Sequence, residues 1–282
     1  MTSALPPLID LAHLHALRTQ AAEGQLDLHL LDVRWALDGS KGRDTYRAGH
    51  LPGAVYIDLD TELAAPARDG AGRHPLPSAE EFAASLRRAG VGAGSTVIAY
   101  DDTNGAPAAR LVWMLRALGH DAAVLSGGLA AWDGALVTQG EQPAPGDVPV
   151  REWPESRLAT ADEVAAGGAL VIDARAAERY RGESEPIDPR AGHIPGAVNL
   201  PFAGNLDEHG RFLPPEELHR RFEAAGAHED RDTIVYCGSG ITATHDLLAL
   251  ESAGFTRVKL FPGSWSQWSA DPQRPVAVGP NP

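Results

Sequence analysis

AGHLPGAVYIDL (residues 48–59) and AGHIPGAVNLPF (residues 191–202) are two copies of one phrase, half the chain apart. Each follows a short apolar run that ends in an acid and an arginine, LLDVRW (30–35) and LVIDAR (170–175). Downstream, STVIAYD (95–101) answers DTIVYCG (232–238), and SGGLAAW (126–132) answers PGSWSQW (262–268). The landmarks keep their order and nearly their spacing, at a period far too long for a solenoid. The chain is therefore a tandem duplication of one domain. Residues 139–157, QGEQPAPGDVPVREWPESR, have neither helical nor strand period and the Pro-rich, charged composition of a linker. The expected organisation is a domain over 8–138, a linker over 139–157 and a second domain over 158–282.

Within each copy, apolar runs (LHLLDV, AVYIDL, TVIAY, AAVLS; then ALVIDA, AVNLPF, TIVYC, RVKLF) alternate with amphipathic stretches. Runs of that length bounded by turn residues are buried parallel strands. SAEEFAASLRRAG and PPEELHRRFEAAG open on a cap residue or Pro with acids and close on Gly, as helices do. AARLVWMLRALGH and ITATHDLLALESAG read the same way. Strand–helix alternation gives an α/β class with reactive groups beyond the carboxyl ends of the strands.

The 282 residues are 43% hydrophobic and 22% charged, ample for two cores. With 24 basic against 38 acidic residues the formal net charge is -14, which argues against nucleic acid or an anionic membrane as the main partner. Cys237 is the single cysteine, which excludes an internal disulfide and a Cys-based zinc cage. The amino-terminal sequence has no secretory pattern and no apolar run reaches about 18 residues, so a cytoplasmic location is expected. His13, His15 and His29 show no ligand spacing, and no metal site is expected. There is no Walker loop, GxGxxG or GxSxG.

The residue types that carry chemistry gather at Cys237. It ends the strand TIVYC and opens CGSGITATHDLLAL, a glycine-spaced loop that runs into a helix. Gly238 and Gly240 let successive N–H groups turn inward, and the helix N-terminus adds partial positive charge. A thiol there is expected to react as thiolate. In the first copy the equivalent position is Asp101, which cannot serve as a sulfur nucleophile, so that copy retains the scaffold alone. His50 and His193 fall in the repeated phrase and are expected to be structural, like Trp132, Trp268 and His245.

The two GH[LI]PGAV phrases, the CGSGIT loop and the closing PGSWSQWSADPQRPV together resemble the tandem-domain rhodanese sulfurtransferases. The resemblance implies a parallel five-stranded sheet flanked by helices in each domain, an inactive first domain, and a persulfide on Cys237. Thiosulfate-using members resemble Cys-Arg-Lys-Gly-Val-Thr at this loop and mercaptopyruvate-using members Cys-Gly-Ser-Gly-Val-Thr. This chain reads Cys237-Gly238-Ser239-Gly240-Ile241-Thr242, so the resemblance favours 3-mercaptopyruvate, since a loop without its two cations holds a dianion poorly. It also implies a proton relay of Ser239 with Asp60 and His74, and donor binding by Gly238, Gly240, Ile241, Thr242 and Arg179. Arg190 is the nearest match to a second donor arginine, with Arg181 a further possibility. No cofactor is implied, and the acceptor is a thiol, a thioredoxin-like protein or, in an assay, cyanide. Thiosulfate as donor and a non-catalytic sulfur carrier remain alternatives. A cysteine phosphatase would need an arginine six residues after the cysteine, where Ala243 stands.

Overall fold

The structure is a computed structural model and describes residues 5–282. It divides into two compact units. The first contains the chain up to Ala65, Pro77–Trp153 and Glu208–Phe212; the second contains Pro66–Leu76, Pro154–Asp207 and Leu213–Pro282. Each half of the sequence thus lends a short segment to the other's unit, which the duplication did not announce.

The first unit runs β1 (Leu8–Ile9), α1 (Leu11–Ala22), β2 (Leu28–Asp32), α2 (Arg43–Ala48), β3 (Ala54–Tyr56), α3 (Leu59–Glu62), α4 (Ala79–Arg88), β4 (Thr96–Tyr100), α5 (Ala106–Ala117), β5 (Asp121–Leu125) and α6 (Gly128–Ala131). Its five strands are parallel in the order β1-β5-β4-β2-β3. Every residue of the central β4 is buried, which is why its sequence is an unbroken apolar run. Ser78 starts α4 by a capping box: Glu81 N–H donates to its hydroxyl and the Glu81 carboxylate accepts from Ser78 N–H, contributing about 1 kcal/mol.

The second unit runs α7 (Ala161–Ala166), β6 (Leu170–Asp173), α8 (Ala177–Tyr180), β7 (Val198–Asn199), α9 (Pro215–Ala224), β8 (Thr233–Tyr236), α10 (Thr242–Ser252), β9 (Val258–Leu260) and α11 (Ser264–Ala270). Its sheet has four parallel strands, β7-β6-β8-β9, where five were expected. The place of the fifth is taken by one parallel bridge, Leu158 to Leu260. A 3-10 turn ends at Arg157 and Thr160 already caps α7, so the chain stays extended too briefly for a ladder. Among the described residues no helix is long and apolar enough to cross a membrane.

The repeated phrase has the same physics in both units. Arg34 and Arg175 each donate to the acid two residues earlier, Asp32 and Asp173, and to the carbonyl of the phrase's glycine, Gly49 and Gly192. His50 and His193 each stack on a tyrosine, Tyr46 and Tyr180, with centroids 3.8 and 3.7 Å apart, and Nδ1 lies 2.8 Å from that tyrosine's carbonyl oxygen. The phrase is a buried polar staple, and both histidines are structural. Trp268 lies in the core, but Trp132 is half-buried, with His15 and Arg18 against its ring.

Candidate active site

Beyond the carboxyl end of β8 the chain turns through Cys237 to Ile241 and enters α10. Two backbone bonds fix the loop to α11: Trp265 N–H donates to the Cys237 carbonyl and Ser266 N–H to that of Gly238, both at 2.9 Å. Cys237 N–H donates to Ser264 Oγ, whose hydroxyl donates to the Phe261 carbonyl. Ser264 is the only non-glycine among the described residues with positive φ (51°), a strained conformation held where the loop is anchored.

Cys237 is free and 2% exposed, and the Gly240 N–H points at its sulfur from 3.1 Å. That arrangement needs φ of +81° at residue 240, which glycine adopts without a Cβ penalty. The Gly240 donor and the amino end of α10 therefore converge on the position where a charged sulfur would sit. Ile241 is buried at the start of α10 and Thr242 is its first residue, so both shape the turn.

Ser239 lies against His74. Its Oγ is 2.7 Å from Nδ1, and both side chains are buried. His74 arrives on the 66–76 segment, which packs within the second unit: Arg73 N–H donates to Ser266 Oγ, and Gln267 Nε2 to the Gly70 carbonyl. Asp60 lies in the first unit, exposed in the first turn of α3.

Two guanidinium groups stand over Gly238. A Cβ placed there would lie 3.3 Å from Arg73 Nη2 and 3.4 Å from Arg179 Nη1, so glycine leaves the room they occupy. Arg179 is the residue expected from the sequence. Arg190 is held by backbone carbonyls. Its guanidinium donates to the carbonyls of Trp268, Ser269, Asp271 and Arg274, fastening the carboxy-terminal segment. Arg181 pairs with Glu183 at the surface. The sequence reading passed over Arg73 although it adjoins His74 in GRHPLP, because nothing local marks one surface arginine from another.

In the first unit the corresponding loop is filled by its own side chain. Asp101 is buried and its carboxylate accepts from the N–H groups of Thr103, Gly105 and Ala108 and from the Thr103 hydroxyl. Burial pushes its carboxyl upward while these bonds favour the anion. A cavity of about 700 Å³ in the second unit opens at the amino ends of β6, β8 and β9, away from Cys237. Lys259 and Arg257 there are paired with Glu163 and Asp232.

Two duplicated α/β units, one with a cysteine loop and one with that loop closed by aspartate, define the class. Residues 14–135 and 157–271 each match the rhodanese-like domain, and the chain belongs to the rhodanese family. It is 49% identical over 266 residues to the "Probable 3-mercaptopyruvate sulfurtransferase" of Pseudomonas aeruginosa, covering 90% of this chain and 93% of that one. It is 43% identical over 258 residues to the "Putative thiosulfate sulfurtransferase SseB" of Mycobacterium tuberculosis, covering 89% and 90%. The crystal structure of SseA from Escherichia coli, described as showing the rhodanese fold and catalytic mechanism of 3-mercaptopyruvate sulfotransferases, superposes with a TM-score of 0.79 at 32% identity. It covers 93% of this chain and 99% of that one.

Proposed function

We propose that this chain is a 3-mercaptopyruvate sulfurtransferase that works through a persulfide on Cys237. The Cys237 thiolate attacks the donor's sulfur, forming an S–S bond as the C–S bond breaks. The released electron pair leaves as the enolate of pyruvate, which then takes up a proton. Cyanide or a thiolate attacks the outer sulfur, giving thiocyanate or an acceptor persulfide and returning Cys237 as thiolate.

The observation that carries this reading is the His74–Ser239 hydrogen bond beside the thiol-bearing loop. An enolate leaving group needs a proton on its way to pyruvate, and a histidine-backed hydroxyl is a proton source. Sulfite leaving from thiosulfate needs none, so the pair would be idle with that donor. Arg73 and Arg179 are the groups proposed to hold the donor carboxylate, with Gly238, Gly240, Ile241 and Thr242 shaping the cradle. The proposed relay residues are Ser239, His74 and Asp60. A reactive lone thiol suits a reducing compartment, which supports a cytoplasmic site of action.

Thiosulfate as donor is the second reading. The two guanidiniums favour it, because they restore to the loop's surroundings the cations that its sequence lacks. Steady-state kinetics with both donors and cyanide decide between them. The expected kcat/KM for mercaptopyruvate exceeds that for thiosulfate by about tenfold or more, the worth of one charge-assisted contact. Equal or better efficiency with thiosulfate would refute the donor assignment. Cys237→Ser should form no persulfide, where the unaltered chain gains about 32 Da after donor treatment. Turnover by catalytic amounts of protein also separates an enzyme from a sulfur carrier.

A further inference from the structure

The two guanidiniums over Gly238 do not present two free positive charges. Asp188 Oδ1 accepts from Arg73 Nη1, and Asp188 Oδ2 lies 3.2 Å from Arg179 Nη2. Glu185 accepts from Arg179 Nη2 at 2.6 Å and from Arg175 Nη1 at 3.3 Å, and its Oε1 also accepts from the N–H groups of Ile187 and Asp188. Beyond Arg175 the series ends in its own partner, Asp173. Charges alternate from the end of β6 to the 66–76 segment, all within the second unit. The depths differ. The Asp188 and Glu185 side chains are each 3% exposed, whereas Arg73 and Arg179 are 25% and 20% exposed. Burial alone would raise the Glu185 carboxyl, but its bonds to Arg179 and the backbone hold it below the usual range, so it stays charged.

We infer that Asp188, with Glu185 behind it, sets the charge that the cysteine loop presents to a donor and so selects a monoanion over a dianion. This rests on the sulfurtransferase reading and deepens it. The cations face the donor and the carboxylates lie beneath them, so the pair of guanidiniums retains its hydrogen-bonding forks while its net charge is cancelled. Mercaptopyruvate carries one carboxylate and fits such a mouth. Thiosulfate carries two charges and needs a positive one. Asp188 is on this account a positioning residue: it touches both arginines, and its effect on the donor passes through them.

The test compares kcat and KM for both donors, with cyanide, in the full-length chain and in Asp188→Asn, Arg73→Gln and the double variant, after circular dichroism of each. Asp188→Asn leaves one unneutralised cation, so the thiosulfate to mercaptopyruvate ratio of kcat/KM should rise about tenfold, chiefly through a lower KM for thiosulfate. Arg73→Gln should move the ratio about tenfold the other way. The double variant, with the charge count restored, should return to within about threefold of the starting ratio. A scaffolding role would depress both donors together and leave the double variant no better than the singles; that result, or an unmoved ratio in Asp188→Asn, overturns the inference. Should Asp188→Asn fail to fold, Arg73→Gln still decides the sign, since its side chain is partly exposed. Loss of the sulfurtransferase reading itself would be seen earlier, as no persulfide from either donor in the unaltered chain.

Discussion

The decisive contacts at the residue scale are short and few. Ser239 has one buried partner shown at hydrogen-bond distance, His74 at 2.7 Å. If that pair protonates the leaving enolate, His74→Ala should lower kcat with mercaptopyruvate by about ten- to a thousandfold, the contribution of a positioned acid or base. Thiosulfate turnover should fall much less, because its leaving group takes no proton. Equal losses with both donors would mean that His74 only shapes the pocket. Arg190 shows why residue type and position along the chain are poor guides to role. It is the arginine nearest the repeated phrase, and its guanidinium makes four hydrogen bonds to backbone carbonyls.

At the scale of elements, α10 carries both the cradle and an unusual burden. Asp246, one turn into the helix, is fully buried; one carboxylate oxygen accepts from Asn205 Nδ2, and the other has no hydrogen-bond partner among the described residues. Burial pushes its carboxyl up to about 8, against the opposing pull of Asn205 and of the Arg221 charge. In the unfolded chain the same group releases its proton near pH 4. Between these limits the folded state binds more protons, so this group subtracts stability progressively as pH rises from about 4 to about 8. Asp246→Asn keeps the hydrogen bond from Asn205 and has no proton to lose. Its melting temperature should match the unaltered chain near pH 4 and exceed it by pH 8, by an amount worth about 1–3 kcal/mol. A difference that stays constant across that range would exclude the titration.

The exchange of segments is a property of the whole molecule. Residues 66–76 come from the first half of the sequence and belong to the second compact unit, bringing Arg73 and His74. A protein starting at Leu158 would contain Cys237, Ser239 and Arg179 but neither of these. It should transfer sulfur from mercaptopyruvate less efficiently than His74→Ala of the full chain, since it also lacks Arg73. Single-turnover persulfide formation measured by mass would check this, and full-chain rates in the fragment would make the segment dispensable.

Periodicity and repetition were enough to read the duplication, the α/β class, the strands β2 to β9 and the cysteine loop, because strands of a parallel sheet covered by helices are written as short apolar runs. Residues local to that loop, Ser239 and Gly240, were legible for the same reason: strand end, turn and helix start are decided within ten residues. Other features left no such mark. The fifth strand of the second sheet shrinks to a single bridge at Leu158, because the neighbouring turn and cap limit how long the chain stays extended. Arg73 stands with Arg179 beside Gly238, and Asp188 and Glu185 pair with these arginines. A guanidinium's role depends on which acids and carbonyls come within about 3 Å of it, and partners contributed by residues over a hundred positions apart meet only once the chain has folded.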